Sequence, residues 1–318
     1  MTSFNPAQIR LARESRGYSQ SQLAEKVSGL AQSNLSKMEK GFLPVTRVMM
    51  ERIAVALEYP VSFFEKNTQQ TPMGAFYYRK RASLTKKTLM VMEAKRDVIR
   101  LLVDQLLDSV EIPEYQIPPM RVTSTLSARD IARRIRNYLQ LPMGPIIDPV
   151  IILENHGIII YEMDFNTDKL MGFTIHTDKG QPIIFINSNM PNDRKRFTLA
   201  HELGHLVMHL PFPELDIDDK TIELEADEFA GEFNMPITDA YRDLSQIRLS
   251  NLGQLKSYWK ISKAAILKQA VSAHTISADR YKYFMIELSR MGERKREKGM
   301  VEWYAPSLLT QIVNTHIN

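Results

Sequence analysis

The chain has 318 residues, 44% hydrophobic and 25% charged, an ordinary composition for a soluble globular protein of two or three domains and not that of a fibre. It has no cysteine, which excludes a disulfide framework, a thiolate metal site and a cysteine nucleophile, so any metal must be held by His and carboxylates. The net charge of +4 hides an asymmetry: residues 1–90 carry 14 Lys and Arg against 6 Asp and Glu, and the remainder carries 27 against 31, so a basic first quarter suited to a polyanion joins a mildly acidic body.

In chain order, residues 6–64 read as short helices separated by turn residues. Ile9, Leu11 and Ala12 open an amphipathic helix that ends near Arg16 and Gly17, with Gly17 at C′. Ser19 is placed as the N-cap of a second helix holding Leu23, Ala24 and Val27, and Gly29 closes it. A third helix runs from about residue 32 to 40, and a fourth over 47–57 presents Val48, Ile53, Ala54 and Leu57 on its apolar face. The polar stretch 67–72 is a first linker candidate. Residues 85–110 predict a long helix with a charged middle, and 111–120, holding Pro113, Pro118 and Pro119, predict a second linker. A helix follows over 126–139 with Ser127 as a candidate cap.

No apolar run reaches the length of a membrane span, and no apolar leader segment follows the first basic residues, so a cytoplasmic protein without membrane contact is expected. The longest apolar candidate, near 146–160, is broken by Asp148, Pro149, Glu154, Asn155, His156 and Gly157 and reads as a short helix followed by a buried strand. Short β-rich runs are predicted over 157–163, 171–176 and 182–186, then a loop over 187–193. Helices are predicted over 194–209 and 221–233, the second stopped by Pro236. Residues 250–290 are amphipathic and helical, and 292–299 form a charged loop.

Residues 18–41 have the form of a helix-turn-helix. Ala24 is small where two helices cross, Gly29 permits the turn, and Val27, Leu30, Leu35 and Met38 are spaced to share a core. In such a unit the second helix enters the major groove, and here its exposed face carries Gln32, Ser33, Asn34 and Lys37. Gln and Asn suit bidentate contacts to adenine, while Ser and Lys serve bases or phosphates. Gln20, opening the preceding helix, is placed to hold a phosphate. Together with Glu39-Lys40-Gly41 and Ile53-Ala54-Val55-Ala56-Leu57, these residues resemble the Cro/phage-repressor-like (XRE) family across roughly residues 7–66. The resemblance implies double-stranded operator DNA as a partner and a homodimer on paired half-sites.

His201-Glu202-Leu203-Gly204-His205 is an H-E-x-x-H on a helix. Residues i and i+4 share a face, so both imidazoles can reach one ion, and Glu202 stands beside it to take and return a proton. Glu223 and Asp227 also stand at i and i+4 on the next helix. One carboxylate can close a His₂Glu set that leaves a position for water, and the other can accept the N–H of a ligating imidazole. Glu223 is assigned as ligand and Asp227 as orienter; Glu225, on another face, is the fallback ligand and otherwise a solvated surface carboxylate. His209, a further turn along a straight helix, lies too far to join the same ion and reads as a buried or supporting histidine. Arg194 and Arg196 are candidates to steady a carboxylate or developing oxyanion, with surface charge as the plainer reading.

Residues 182–187, Arg194 to His205, and Glu223-Leu224-Glu225-Ala226-Asp227-Glu228-Phe229-Ala230 with Met235-Pro236 resemble the ImmA/IrrE family of metallo-endopeptidases. The likeness extends upstream to Gly157, loosely to Ala132, and downstream through Leu255–Ser262 and Ala265-Ile266-Leu267. It departs at Asp227, where the family often has Asn, and at Gly231–Asn234, where a more apolar run is usual. It implies a zinc cofactor and cleavage of a DNA-binding repressor that releases genes for stress response or mobile-element transfer.

The expected fold is mainly α with a small β-sheet (α+β). It comprises an all-α five-helix helix-turn-helix domain over 1–68, a helical linker over 69–124, a zincin-like metallopeptidase domain over 125–245 and a helical C-terminal region over 246–318. The expected function is a transcription regulator whose zinc endopeptidase hydrolyses a regulatory protein: itself, a repressor or an antitoxin-like partner. The alternative is a repressor or antitoxin whose metallopeptidase-like domain is a non-catalytic sensor or toxin-binding module.

Overall fold

The structure is a computed structural model that describes residues 4–66, 84–213, 217–294 and 296–317. The linker candidate at 67–72, and the first part of the 69–124 segment, lie outside the described residues.

Four short helices open the chain: α1 (Pro6–Ser15), α2 (Gln20–Lys26), α3 (Gln32–Glu39) and α4 (Arg47–Leu57). The fifth helix of the expected set is the 3₁₀ helix Val61–Glu65. Side chains supply the caps: Asn5 for α1, Thr46 for α4, and Ser19 for α2, where Gln22 completes a capping box. Ile9, Leu23, Leu35, Ile53, Leu57 and Phe64 close one small core. Val48, expected on the apolar face of α4, is exposed instead, and Met50 takes the buried place beside Ile53.

Helix α5 (Lys86–Leu106), capped by Thr85, packs against α1 and also reaches the β-sheet, where Val103 and Leu106 are buried. The stretch between α5 and α6 (Ala128–Tyr138) contains no helix, as its prolines require. Ser127 and Asp130 form a capping box at the start of α6. The short α7 (Pro149–Glu154) then leads into the sheet.

The sheet has three strands, β1 (Ile159–Met163), β2 (Gly172–His176) and β3 (Pro182–Asn187), in the order β1-β3-β2. β1 runs parallel to β3, with Ile160 opposite Ile184, and β2 runs antiparallel to it, with Phe173 opposite Phe185. β3 is central and buried on both faces, which explains its near-continuous apolar run. Ile183 and Phe185 face α5 and the last helix, α14 (Leu308–Ile317), whereas Ile184 and Ile186 face α8 (Asn192–Met208). On the far side of α8, α9 (Asp219–Asn234) packs against both α8 and α6. Arg129 and Arg133 of α6 both reach the fully buried Glu232 of α9, fixing those two helices.

Helices α10 (Ile237–Ser245), α11 (Leu252–Trp259), α12 (Lys263–Ser272) and α13 (Ala278–Arg290) form a second helical core around Leu244, Trp259, Ile266 and Phe284. The Nζ of Lys256 bonds Asp193 at the start of α8 at 2.6 Å and Glu297 at 3.0 Å, tying this core to the helix that carries the H-E-x-x-H residues.

Candidate metal centre and recognition helix

His201, Glu202 and His205 are all buried on α8, and the elements around that helix are placed close enough to answer each of them. A Cβ on Gly204 would stand 3.1 Å from the Phe229 ring of α9, so the glycine lets α9 approach to side-chain range. A Cβ on Gly172 would stand 2.6 Å from Thr198 and 3.3 Å from Glu202, so the bare start of β2 lets the strand lie against α8.

The Nε2 atoms of His201 and His205 lie 3.0 Å apart and face each other. Glu223 of α9 turns its carboxylate to the same point, 3.6 Å from His201 Nε2 and 3.7 Å from His205 Nε2. The three donor atoms lie within 4.8 Å of one another, a His-His-Glu set that can hold a metal ion. Two imidazole nitrogens facing at this distance cannot both carry a proton, and convergent lone pairs beside a carboxylate are the donor chemistry a divalent cation takes.

The outer partners differ between the two histidines. The Nδ1 of His201 lies 3.0 Å from Asp227 Oδ1, and the other oxygen of Asp227 accepts from Lys268 Nζ of α12 at 2.8 Å. Burial pushes the Asp227 carboxyl up, but the hydrogen bonds from His201 and Lys268 outweigh it and hold it at about 2. The Nδ1 of His205 lies 3.0 Å from His209 Nδ1, and His209 Nε2 lies 2.9 Å from Glu225 Oε2. Glu225 is therefore not the solvated carboxylate expected from its place two residues beyond Glu223. Burial holds the His209 imidazole below its ordinary pKa, although Glu225 pulls the other way. The signal in the sequence was His209 itself, one turn past His205 on the same face.

Glu202 is buried beside His201, and its Oε2 accepts from Thr174 Oγ1 of β2 at 3.0 Å. Arg196 serves neither as an oxyanion group nor as a surface charge. It is fully buried, its guanidinium donates to the carbonyls of Ile146 and Ile147, and burial lowers its pKa to about 10. Arg194 is exposed.

In the first core, Glu39 at the end of α3 is paired twice by the buried Arg13, at 2.6 and 2.9 Å, and accepts from Gln20 Nε2 at 2.8 Å. Gln32 Nε2 donates to Gln20 Oε1 at 2.9 Å, so the two glutamines link the starts of α2 and α3. Gln32, Ser33, Asn34 and Lys37 are exposed on α3, and Gln20 is half-buried.

A folded-state pKa of about 2 lies below the ordinary carboxylate value of about 3.9, so Asp227 contributes stability that is complete above about pH 4 and lost as the pH falls towards 2. In metal-stripped protein, Asp227→Asn lowers the urea midpoint at pH 7, and the gap from wild type closes between about pH 4 and 2. A gap of constant size across that range would refute the assignment.

A family model described as a helix-turn-helix matches residues 9–64, and one described as an IrrE N-terminal-like domain matches residues 153–270. No curated protein matches the chain. The first match spans α1 to the 3₁₀ helix; the second runs from the end of α7 through most of α12 and takes in every residue of the His-His-Glu group, Asp227 and Lys268. The chain thus joins a helix-turn-helix domain of the XRE type to a domain of the IrrE/ImmA peptidase type.

Proposed function

We propose that the chain is a DNA-binding transcription regulator that carries a zinc-dependent endopeptidase, acting on a regulatory protein: itself, a repressor or an antitoxin-like partner. The observation that carries the peptidase half is the convergence of His201, His205 and Glu223 beside a buried Glu202. His201, His205 and Glu223 are the ligands in this reading, and Asp227 orients His201 through its Nδ1–H. When bound, zinc supplies Lewis acidity that polarises a peptide carbonyl and acidifies water near neutral pH.

The protein's own groups do the rest. Thr174 fixes one oxygen of Glu202 and with it the rotamer of the carboxylate. Glu202 takes a proton from the attacking water and returns it to the nitrogen of the leaving amine. β2 pairs with β3 on one side, and its other edge is not paired within this sheet, so an extended peptide can add there as a further strand. Leu199, Leu203 and Leu206, on the face of α8 turned towards β3, are buried in the core and hold the helix that carries the site.

At the other end of the chain, α3 reads DNA through Gln32, Ser33, Asn34 and Lys37, and Gln20 holds a phosphate. The Arg13–Glu39–Gln20–Gln32 network supports this reading because it sets the pitch of α3 against α2 from below while leaving the outer face exposed. A homodimer on paired half-sites follows the XRE resemblance, and the acidic body serves as the responsive part.

The peptidase half is tested on zinc-loaded full-length protein, comparing wild type with Glu202→Gln on a peptide library and on the chain itself. Loss of the general base lowers the cleavage rate by about 10²–10⁴-fold while bound metal is retained. Equal activity, or none in either, on every peptide and on the chain would argue for the non-catalytic sensor. For the DNA half, duplexes selected from a random pool are bound by wild type and by Asn34→Ala with Lys37→Ala. The double variant loses about 1–3 kcal/mol of base discrimination from Asn34 and about one unit of salt slope from Lys37. Unchanged binding would move the DNA contacts to other residues, and a pool from which no duplex is selected would leave the helix-turn-helix as a dimerisation module.

A further inference from the structure

His205 is the most deeply buried of the three candidate ligands, at 1% exposure, and its Nδ1 lies against the Nδ1 of His209. Its Nε2 points to the shared centre with His201 and Glu223. If that nitrogen offers a lone pair, the single proton of a neutral imidazole sits on Nδ1. The Nδ1–H then points at another nitrogen, His209 Nδ1, at 3.0 Å. That nitrogen must be the unprotonated one of its ring, which places the His209 proton on Nε2, 2.9 Å from the Glu225 carboxylate. With both imidazoles neutral and His205 Nε2 open, this is the arrangement of protons that satisfies the two contacts running from His205 through His209 to Glu225. The two rings are tilted by 54° with centroids 5.1 Å apart, a poor geometry for stacking but compatible with a bond between ring nitrogens.

We propose that Glu225 and His209 form a positioning chain for His205, in which the carboxylate fixes the His209 tautomer and His209 fixes the tautomer and ring angle of His205. This rests on the reading of the site as a metal centre. His201 receives its carboxylate directly, from Asp227, because it lies at the end of the site that Lys268 and α12 reach. His205 lies one turn deeper, and His209 spans the gap to α9. Neither His209 nor Glu225 touches the metal or the substrate in this scheme; both act through His205. Groups hydrogen-bonded behind a metal-ligating histidine change metal affinity by about 10–100-fold.

The test measures the zinc dissociation constant of the full chain by chelator competition, together with the visible spectrum of the cobalt-loaded protein. The variants are His209→Leu, His209→Asn, Glu225→Ala and Glu225→Gln, with His201→Ala as the ligand control. His209→Leu removes the acceptor for His205 Nδ1–H and weakens zinc binding by about 10–100-fold. His209→Asn keeps an acceptor oxygen at similar reach and recovers most of the affinity, and the cobalt spectrum of that variant returns to the wild-type form. Glu225→Ala weakens binding less, Glu225→Gln recovers it, and the double variant of His209→Leu with Glu225→Ala is no worse than His209→Leu alone. Since Glu225 sits at the rim of the pair, the Glu225 variants carry the test if His209→Leu fails to fold.

Wild-type affinity in His209→Leu, or in Glu225→Ala where His209→Leu does not fold, would overturn the proposal. So would equal weakening by Leu and Asn, which is the signature of packing alone. Wild-type protein that takes up no zinc, with His201→Ala indistinguishable from it, would overturn the metal-centre reading and the positioning chain together. Zinc binding that depends on His201 but not on His209 or Glu225 would overturn the chain alone.

Discussion

Burying His201, Glu202, His205 and His209 along one helix imposes the constraint on which the rest of the domain depends. Each is a polar group taken out of water, and each must find a partner or cost a few kcal/mol, on the order of a hydrogen-bonding group left unmade. The three histidines meet one another along α8 but do not satisfy all of their own polar atoms, so the remaining partners come from elsewhere. Asp227, Glu223 and Glu225 come from α9, and Thr174 comes from β2. That requirement dictates the close packing of α8 on α9 across Gly204 and Phe229, and of β2 on α8 across Gly172. The chemistry of the site and the packing of the domain are the same set of contacts.

The surrounding elements hold those contacts in place. Arg129 and Arg133 clamp α9 through Glu232, and Lys256 clamps the start of α8 through Asp193, so both helices are fixed away from the site by ion pairs to buried carboxylates. Such pairs cost desolvation and contribute geometry more than net stability. Helix α5 holds the other border. Asp104 accepts from the backbone N–H groups of Asp178 and Lys179 in the β2–β3 turn, and Arg100 pairs with Asp178 at 2.6 Å. The same helix packs against α1 of the helix-turn-helix, so one helix touches both that unit and the turn that follows the strand beside Glu202.

Much of this was legible in the sequence, because local physics governs it. The caps at Ser19 and Ser127, the helix over 47–57 and the i, i+4 pairing of His201 with His205 and of Glu223 with Asp227 all follow from local patterns within one element. The three strands followed from their composition and length, but their order did not. That β3 lies between β1 and β2, parallel to one and antiparallel to the other, is a choice made by packing on α8 and α5. The enclosure of Glu225, Arg196 and Lys256 is not legible in the sequence, for a common reason. Their partners, His209, the carbonyls of Ile146 and Ile147, and Asp193, lie 16 to 63 residues away, and no periodicity links them. Charged side chains are exposed by default, so only the tertiary structure shows which ones are enclosed.

The measurement that bears most directly on the metal centre is elemental analysis of the full chain, purified without a metal-binding tag, beside His201→Ala. About one zinc per chain, absent from the variant, is the result expected of a His₂Glu site that binds one ion. Protein that carries no metal, and takes up none when zinc is supplied, would contradict the account and leave a DNA-binding protein whose His-His-Glu group holds only itself together.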